Sequence, residues 1–307
     1  MRRFWLIILI FFSLPAFSQT KRALVVGIGE YPKESGWTVV HGDNDLWITV
    51  QMLLSVGFEE KNILELSNSY ATKGNITACL GQLVSASKPG DVVYLHFSGH
   101  GQLMTDLNGD EEDGYDESFV PYDAEMYFSE TDSGDKHLSD DEIATYLTQI
   151  KKAVGDKGRV ITVIDACHSG KGTHDLGHYN LDAHVTDSFM SYGETAPQSD
   201  IFRGTDRVFE IPTRGMTSFV KENEPIGVCI YACDSGEVNF ELMVSGKYYG
   251  RLTSVIYHLL WNNPKVTVNE MESMVKERMS RLNTRFSQHP VFEFGSDVKQ
   301  DQLLFSE

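Results

Sequence analysis

Two stretches constrain this chain more than any others: Val160-Ile-Thr-Val-Ile-Asp-Ala-Cys-His-Ser-Gly170 and Asp91-Val-Val-Tyr-Leu-His-Phe-Ser-Gly-His-Gly101. Each is an apolar, largely β-branched or aromatic run that ends in a polar tip. Near-continuous apolar runs of this length read as strands buried on both faces of a parallel sheet. If the two strands are parallel neighbours, His100 and Cys167 meet at the carboxyl edge of one sheet. Open α/β sheets bind their ligands at that edge.

The rest of the chain supplies the other layers. Arg22–Gly29 reads as a further buried strand. Its Gly27-x-Gly29 lacks the third glycine of a dinucleotide fingerprint, so no NAD-type or other organic cofactor is expected. Asn44–Val56 carries Leu46, Trp47, Val50, Leu53 and Leu54 at helical spacing and stops at Gly57. Ile63–Leu66 is a short strand. Asn75–Ser87 is a second helix with Ile76, Cys79, Leu80 and Leu83 on one face. Ser139-Asp-Asp-Glu142 has the form of a capping box opening a helix to about Val154, and Thr267–Glu270 repeats that form before a helix to about Leu282. Ile226–Cys233 and Pro290–Gly295 read as strands, and Gly250–Trp261 as an amphipathic helix. Strands alternating with helices predict an α/β fold, a mostly parallel central sheet with helices on both faces. No internal repeat or Pro-rich linker divides the chain, so residues 19–307 are expected to form one domain. Residues 171–225 show no sustained period and form a long loop, which inside a domain is commonly functional.

At the amino end, Arg2 and Arg3 precede the apolar run Phe4–Phe12, and Ala16 and Ser18 offer small residues for cleavage. Residues 1–18 are therefore expected to be a secretory signal peptide, leaving a secreted or periplasmic protein with no membrane span in its mature form. The net charge of −18 argues against nucleic acid as a partner and suits cations or basic peptides. The four cysteines show no CxxC and no zinc-ligand spacing. Cys229 and Cys233, four residues apart on an apparent strand, would be separated by roughly 13 Å, too far for a bridge. Free thiols are expected.

A thiol attacks a carbonyl as the thiolate, and a nearby imidazole generates it. Cys167 stands at a strand end followed by Gly170, and backbone N–H groups at such turns can hold an oxyanion; Gly101 is the candidate donor beside His100. Glycines on both sides of His100 allow close backbone approach to a substrate. After His100 comes the acidic stretch Asp106–Glu117, whose Asp106, Asn108 and Asp110 alternate as in a calcium loop; Glu111 at the sixth position departs from an EF-hand.

Ser98-Gly-His-Gly101 and Asp165-Ala-Cys-His-Ser-Gly170 resemble the paired signatures of the caspase–metacaspase clan of cysteine peptidases, most closely metacaspases and their bacterial relatives. Val25-Val-Gly-Ile28, Asn44-Asp45, Asp110–Glu117 followed by Val120-Pro-Tyr-Asp123, Tyr231-Ala-Cys and Gly250-Arg-Leu-Thr253 follow in the family's order, so the resemblance covers residues 21 to about 262. It implies a caspase-like sandwich and a cysteine endopeptidase with Cys167 as nucleophile and His100 as acid and base. His168 would be structural. Asp45 and Asp165 resemble the pocket acids with which metacaspases take Arg or Lys at P1, and Ser98 a pocket-wall hydroxyl. The implied partner is thus a peptide or protein with a basic P1 residue. The resemblance also implies a calcium site from Asp116, Asp140, Asp141 and Asp175, although Asp175 lies one residue further from Cys167 than the family pattern has it. Acids at the start of a helix are also favourable without a metal. Arg203, Arg207, Arg214 and Lys221 in the 171–225 loop suit self-cleavage by such an enzyme. The competing expectation is a non-catalytic calcium-binding or scaffold module on the same fold.

Overall fold

The structure, a computed structural model, describes residues 19–109, 114–166, 198–205, 207–212, 225–234, 237–282 and 287–305. Its centre is a six-stranded sheet. The strands are β1 (Lys21–Gly27), β2 (Ile63–Ser67), β3 (Val92–Ser98), β7 (Arg159–Asp165), β9 (Val228–Tyr231) and β12 (Val291–Phe294), in the order β12-β9-β7-β3-β1-β2. All pairs are parallel except β12 with β9. Every residue of β3 is buried, as its unbroken apolar run requires.

Helices cover both faces. On one side α1 (Gly42–Ser55), α4 (Arg251–Asn262) and α5 (Val268–Leu282) pack Leu53, Leu252, Leu260 and Val275 against Val25, Tyr94 and Val163. On the other, α2 (Lys73–Ala86) and α3 (Asp140–Val154) pack Leu80, Leu83, Leu147 and Ile150 against Leu24, Leu95 and Phe97. The expected α/β architecture is therefore found, with helix boundaries displaced by two residues or so, where fraying and capping decide.

Two small sheets lie outside the expected plan. The stretch after His100 is not a plain loop. It forms an antiparallel pair, β4 (Gly101–Thr105) with β5 (Tyr115–Phe119), and β5 also pairs with β6 (Leu138–Ser139). Residues 110–113 of the acidic stretch lie outside the described residues, as do residues 1–18. The segment without sustained period contains β8 (Gln198–Phe202). It pairs antiparallel with β10 (Phe240–Val244), which forms a hairpin with β11 (Lys247–Gly250). Cys79, Cys229 and Cys233 are free thiols. No helix among the described residues is long and apolar enough to cross a membrane.

The two capping boxes differ. Thr267 Oγ1 accepts from the Glu270 N–H at 3.2 Å while Glu270 Oε2 accepts from the Thr267 N–H at 2.8 Å, a reciprocal pair. Ser139 Oγ accepts from the Glu142 N–H at 3.3 Å, but the Glu142 side chain turns to Lys73 at 2.6 Å. Replacing Thr267 with Ala leaves the Glu270 N–H without its acceptor at the start of α5. It should cost about 1 kcal/mol of stability in urea unfolding, with no change of fold by circular dichroism.

Candidate active site

Strands β3 and β7 run side by side in parallel register to their last residues, with Ser98 opposite Asp165. His100 lies two residues beyond Ser98. Ala166, the last described residue before Cys167, is buried. Cys167, His168 and Asp175 fall outside the described residues, so the expected meeting of thiol and imidazole is approached from the imidazole side only.

The His100 ring is buried and fixed from several directions. It stacks on Trp37 with centroids 4.9 Å apart and tilts against Tyr31 at 5.2 Å. Its Nε2 donates to the Thr38 carbonyl at 2.9 Å, and its Nδ1 accepts from the Gly204 N–H at 3.0 Å. These partners define a neutral imidazole protonated on Nε2. Burial lowers its pKa to about 4, against the pull of the Thr38 carbonyl. The flanking glycines have a different reason from the one expected at Gly99. A Cβ there would stand 2.9 Å from the Tyr31 hydroxyl and 3.3 Å from Phe119, so the close approach is to the protein's own side chains. Gly101 opens β4 opposite Phe119. The Val120 N–H donates to the His100 carbonyl, which makes Gly101 and Phe119 a non-hydrogen-bonded pair. The pairing with β5 therefore does not take the Gly101 N–H.

Beside His100 a fully buried pocket holds Arg203, the residue just after β8. Asp45 enters from the first turn of α1, Ser98 and Asp165 from the ends of β3 and β7, and Glu241 from β10; all are fully buried. Arg203 Nη1 stands 2.6 Å from Asp45 Oδ2, 2.5 Å from Ser98 Oγ and 3.5 Å from Asp165 Oδ1. It also donates to the Asp165 carbonyl at 3.2 Å. On the other edge of the guanidinium, Nε donates to Glu241 Oε1 at 3.0 Å. Nη2 lies 3.0 Å from the same oxygen, close enough for ion pairing but without hydrogen-bond alignment.

Each acid is held in turn. Asp45 accepts from the Gly250 N–H at 3.0 Å and from Ser98 Oγ at 2.5 Å. Asp165 accepts from Asn239 Nδ2 at 2.7 Å, the Thr253 N–H at 2.8 Å and the Thr253 hydroxyl at 2.5 Å. Glu241 accepts from the His41 N–H at 2.8 Å. Gly250 must be glycine, because a Cβ would overlap the Asp165 carboxylate and stand 2.7 Å from Arg203 Nη1. Burial raises the pKa of Asp45 to about 7; Arg203 opposes the rise, and Asp165 adds to it. Burial would lower the Arg203 pKa, but Asp45, Asp165 and Glu241 together raise it. The three residues expected as pocket groups, Asp45, Ser98 and Asp165, are thus brought together around a cation.

Glu241, Asn239, Thr38 and Trp37 were not singled out from the sequence, and Thr253 entered only as part of the Gly250–Thr253 motif. No local signal marks Glu241, because an acid between Phe240 and Leu242 has the pattern of an exposed position on an alternating strand. Asp116, Asp140 and Asp141 also come together, at β5 and the start of α3. Asp141 accepts from Asn108 Nδ2. Asp140 Oδ1 is buried with no hydrogen-bond partner. Burial, with Glu117, Asp116 and Asp141 nearby, raises the Asp140 pKa to about 8. This donor chemistry fits a hard cation. Among the described residues, however, no group of three or more His, Cys, Asp or Glu side chains is arranged to hold a metal.

A fold and site of this kind define a hydrolase-like sheet edge, and comparison with known proteins makes the class specific. Residues 21–175 match the family described as metacaspase, peptidase C14 domain. Metacaspase-1 of Mycosarcoma maydis is 23% identical over 93% of this chain and 72% of its own length. Metacaspase-2 of Arabidopsis thaliana is 32% identical over 62% of this chain and 46% of its own length. The crystal structure of protein GSU0716 from Geobacter sulfurreducens superposes with a TM-score of 0.60 at 18% identity, covering 94% of this chain and all of that one, and supports the fold alone. The chain belongs to the metacaspase family of peptidase C14 domains, a family of cysteine-type endopeptidases.

Burial gives the chain an uneven pH response. His96, His100 and His137 each have a pKa lowered to about 4 by desolvation. Their stabilising contribution is full above the ordinary histidine value of 6.5 and is lost as pH falls toward 4. Asp45 and Asp140 act in the opposite sense. The folded chain keeps protons on them that the unfolded chain has lost, so their contribution is full near pH 4 and is lost as pH rises through about 7 and 8. Three groups outweigh two on the acid side. The urea midpoint, measured in chelator, should peak near pH 6.5 and fall toward both pH 5 and pH 8.

Proposed function

We propose that this chain is an endopeptidase that cleaves after basic residues, arginine above all, with Cys167 as nucleophile and His100 as acid and base. One observation carries the reading. The Arg203 guanidinium fills the acid-lined pocket while the N–H of the next residue, Gly204, points at His100 Nδ1. That is the arrangement of a P1 side chain and a leaving-group nitrogen. The Thr38 carbonyl holds Nε2–H and steadies the imidazolium, which leaves Nδ1 to move the proton.

The chemistry follows in two halves. Nδ1 takes the proton of the Cys167 thiol, and the thiolate attacks the carbonyl carbon of P1. The oxyanion turns toward the Gly101 N–H. As the C–N bond breaks, Nδ1 returns the proton to the departing amine, leaving an acyl-thioester on Cys167. A water, deprotonated by the same Nδ1, then hydrolyses the thioester and regenerates the thiol.

Peptides ending in Arg, Lys or Asp before a fluorogenic leaving group test the reading. Cleavage after Arg, lost in Cys167→Ala and retained in Cys79→Ala, is the expected result. Cleavage after Asp alone overturns it. Asp45 must be ionised to hold a guanidinium, and without Arg203 beside it Asp45 ionises above about 7, so kcat/KM for the Arg peptide should climb as pH rises past that value. The same geometry makes Arg203–Gly204 a bond the chain can cut in itself. Mass spectrometry should find a fragment beginning at Gly204 in the wild type and not in Cys167→Ala.

We further propose calcium as an activator, held by Asp140 with Asp116 and Asp141 and completed from Asp175. It would neutralise the acidic cluster and take no part in bond cleavage. Calorimetric calcium binding that weakens at least tenfold in Asp140→Asn supports this site, and unchanged binding rules it out. Export is proposed from residues 1–18, with Gln19 as the mature amino terminus.

A further inference from the structure

We propose that Glu241 is the residue that makes this pocket select arginine over lysine. The inference rests on reading the pocket as the P1 site, and it concerns a group that reading does not require. Asp45, Ser98 and Asp165 all converge on one nitrogen, Nη1, at 2.6, 2.5 and 3.5 Å. A lysine ammonium placed where Nη1 stands would meet all three. Glu241 addresses the opposite edge of the guanidinium, with Oε1 at 3.0 Å from Nε and 3.0 Å from Nη2. Lysine has no counterpart of Nε and only one nitrogen to place.

Glu241 is also fixed in position. It is fully buried on β10, between Phe240 and Leu242, which are buried as well. The His41 N–H donates to Oε1 at 2.8 Å, and His41 Nδ1 stands 2.6 Å from Oε2. Burial alone would push the Glu241 carboxyl up, but Arg203 and His41 hold it below its ordinary value, so it is a carboxylate when arginine is bound. With lysine in the pocket, that buried carboxylate loses its main cation. Leaving one member of a buried ion pair with only His41 is costly, whereas a guanidinium meets it with a hydrogen bond from Nε and an ion-pair contact from Nη2. Discrimination thus comes from a group that arginine reaches and lysine leaves to His41 alone.

The test measures kcat/KM on peptides identical except for Arg or Lys at P1, for the wild type, Glu241→Gln and Glu241→Asp. Glu241→Gln keeps the shape and removes the charge. Its Arg-to-Lys ratio should fall at least tenfold, chiefly through a higher KM for Arg, and Glu241→Asp should recover part of the ratio. Equal losses on both peptides would mean a merely structural role and overturn the proposal. If the wild type cuts both peptides and the ratio is untouched, this proposal fails while the basic-P1 reading stands. If it cuts neither, both fall. A measurement without any variant guards against misfolding: agmatine should inhibit the wild type at least tenfold more strongly than 1,5-diaminopentane. Equal inhibition refutes a guanidinium-selective edge.

Discussion

Everything at this sheet edge depends on the register between β3 and β7. Ser98 faces Asp165 across the ladder because the two strands pair residue for residue from Val92 and Arg159 onward. Side chains alternate faces along a strand, so a slip of one position would turn the slipped strand's group to the other side of the sheet and part Ser98 from Asp165. The third group arrives through a close contact. A Cβ on Gly42, the first residue of α1, would stand 2.7 Å from the Ile28 carbonyl and closer still to that of Ser98. Glycine there lets the helix start directly over the strand ends, which brings Asp45 down onto Ser98.

The same desolvation then acts in two directions. It makes Asp45 reluctant to lose a proton and His100 reluctant to gain one. The outcome is a neutral imidazole next to a set of acids whose charge is bearable only with a cation among them. Arg203 is that cation in this structure. The pocket holds the Arg203 guanidinium because its own ionisation demands a cation. The buried acids are therefore as much a statement about stability as about recognition.

What could be read from the sequence follows the range of the forces involved. The strand tips and helices announced themselves through local periodicity, and Asp45, Ser98 and Asp165 through a family's spacing. The β4–β5 and β10–β11 pairs did not, because two short strands separated by a turn carry little period of their own and are fixed by pairing and burial. Glu241 was missed for a related reason. A single acid in Phe240–Val244 looks like the exposed member of an alternation until β8 and α1 enclose it. Gln198–Phe202 lies in a stretch with no period at all, and nothing local marks Arg203 among the other basic residues of 171–225. Its role is set by contacts with residues far away in the chain: Asp45, Ser98, Asp165 and Glu241.

The strand that delivers Arg203 also suggests how another chain would be received. β8 runs antiparallel to β10, and the Arg203 N–H donates to the Asn239 carbonyl at 2.9 Å just before the pocket. In the proposed reading, residues preceding P1 add a strand to β10, with main-chain hydrogen bonds supplying affinity and the pocket supplying selection. A tethered occupant has a high effective concentration, so it outcompetes a free peptide that makes the same contacts. Cutting the Arg203–Gly204 bond would alter none of those contacts. It would remove only the tether on the leaving side, and the amino-terminal side stays joined to β7 through residues 166–197. Release of the pocket therefore needs β8 to leave β10, and the acids left behind set the sign of what replaces it.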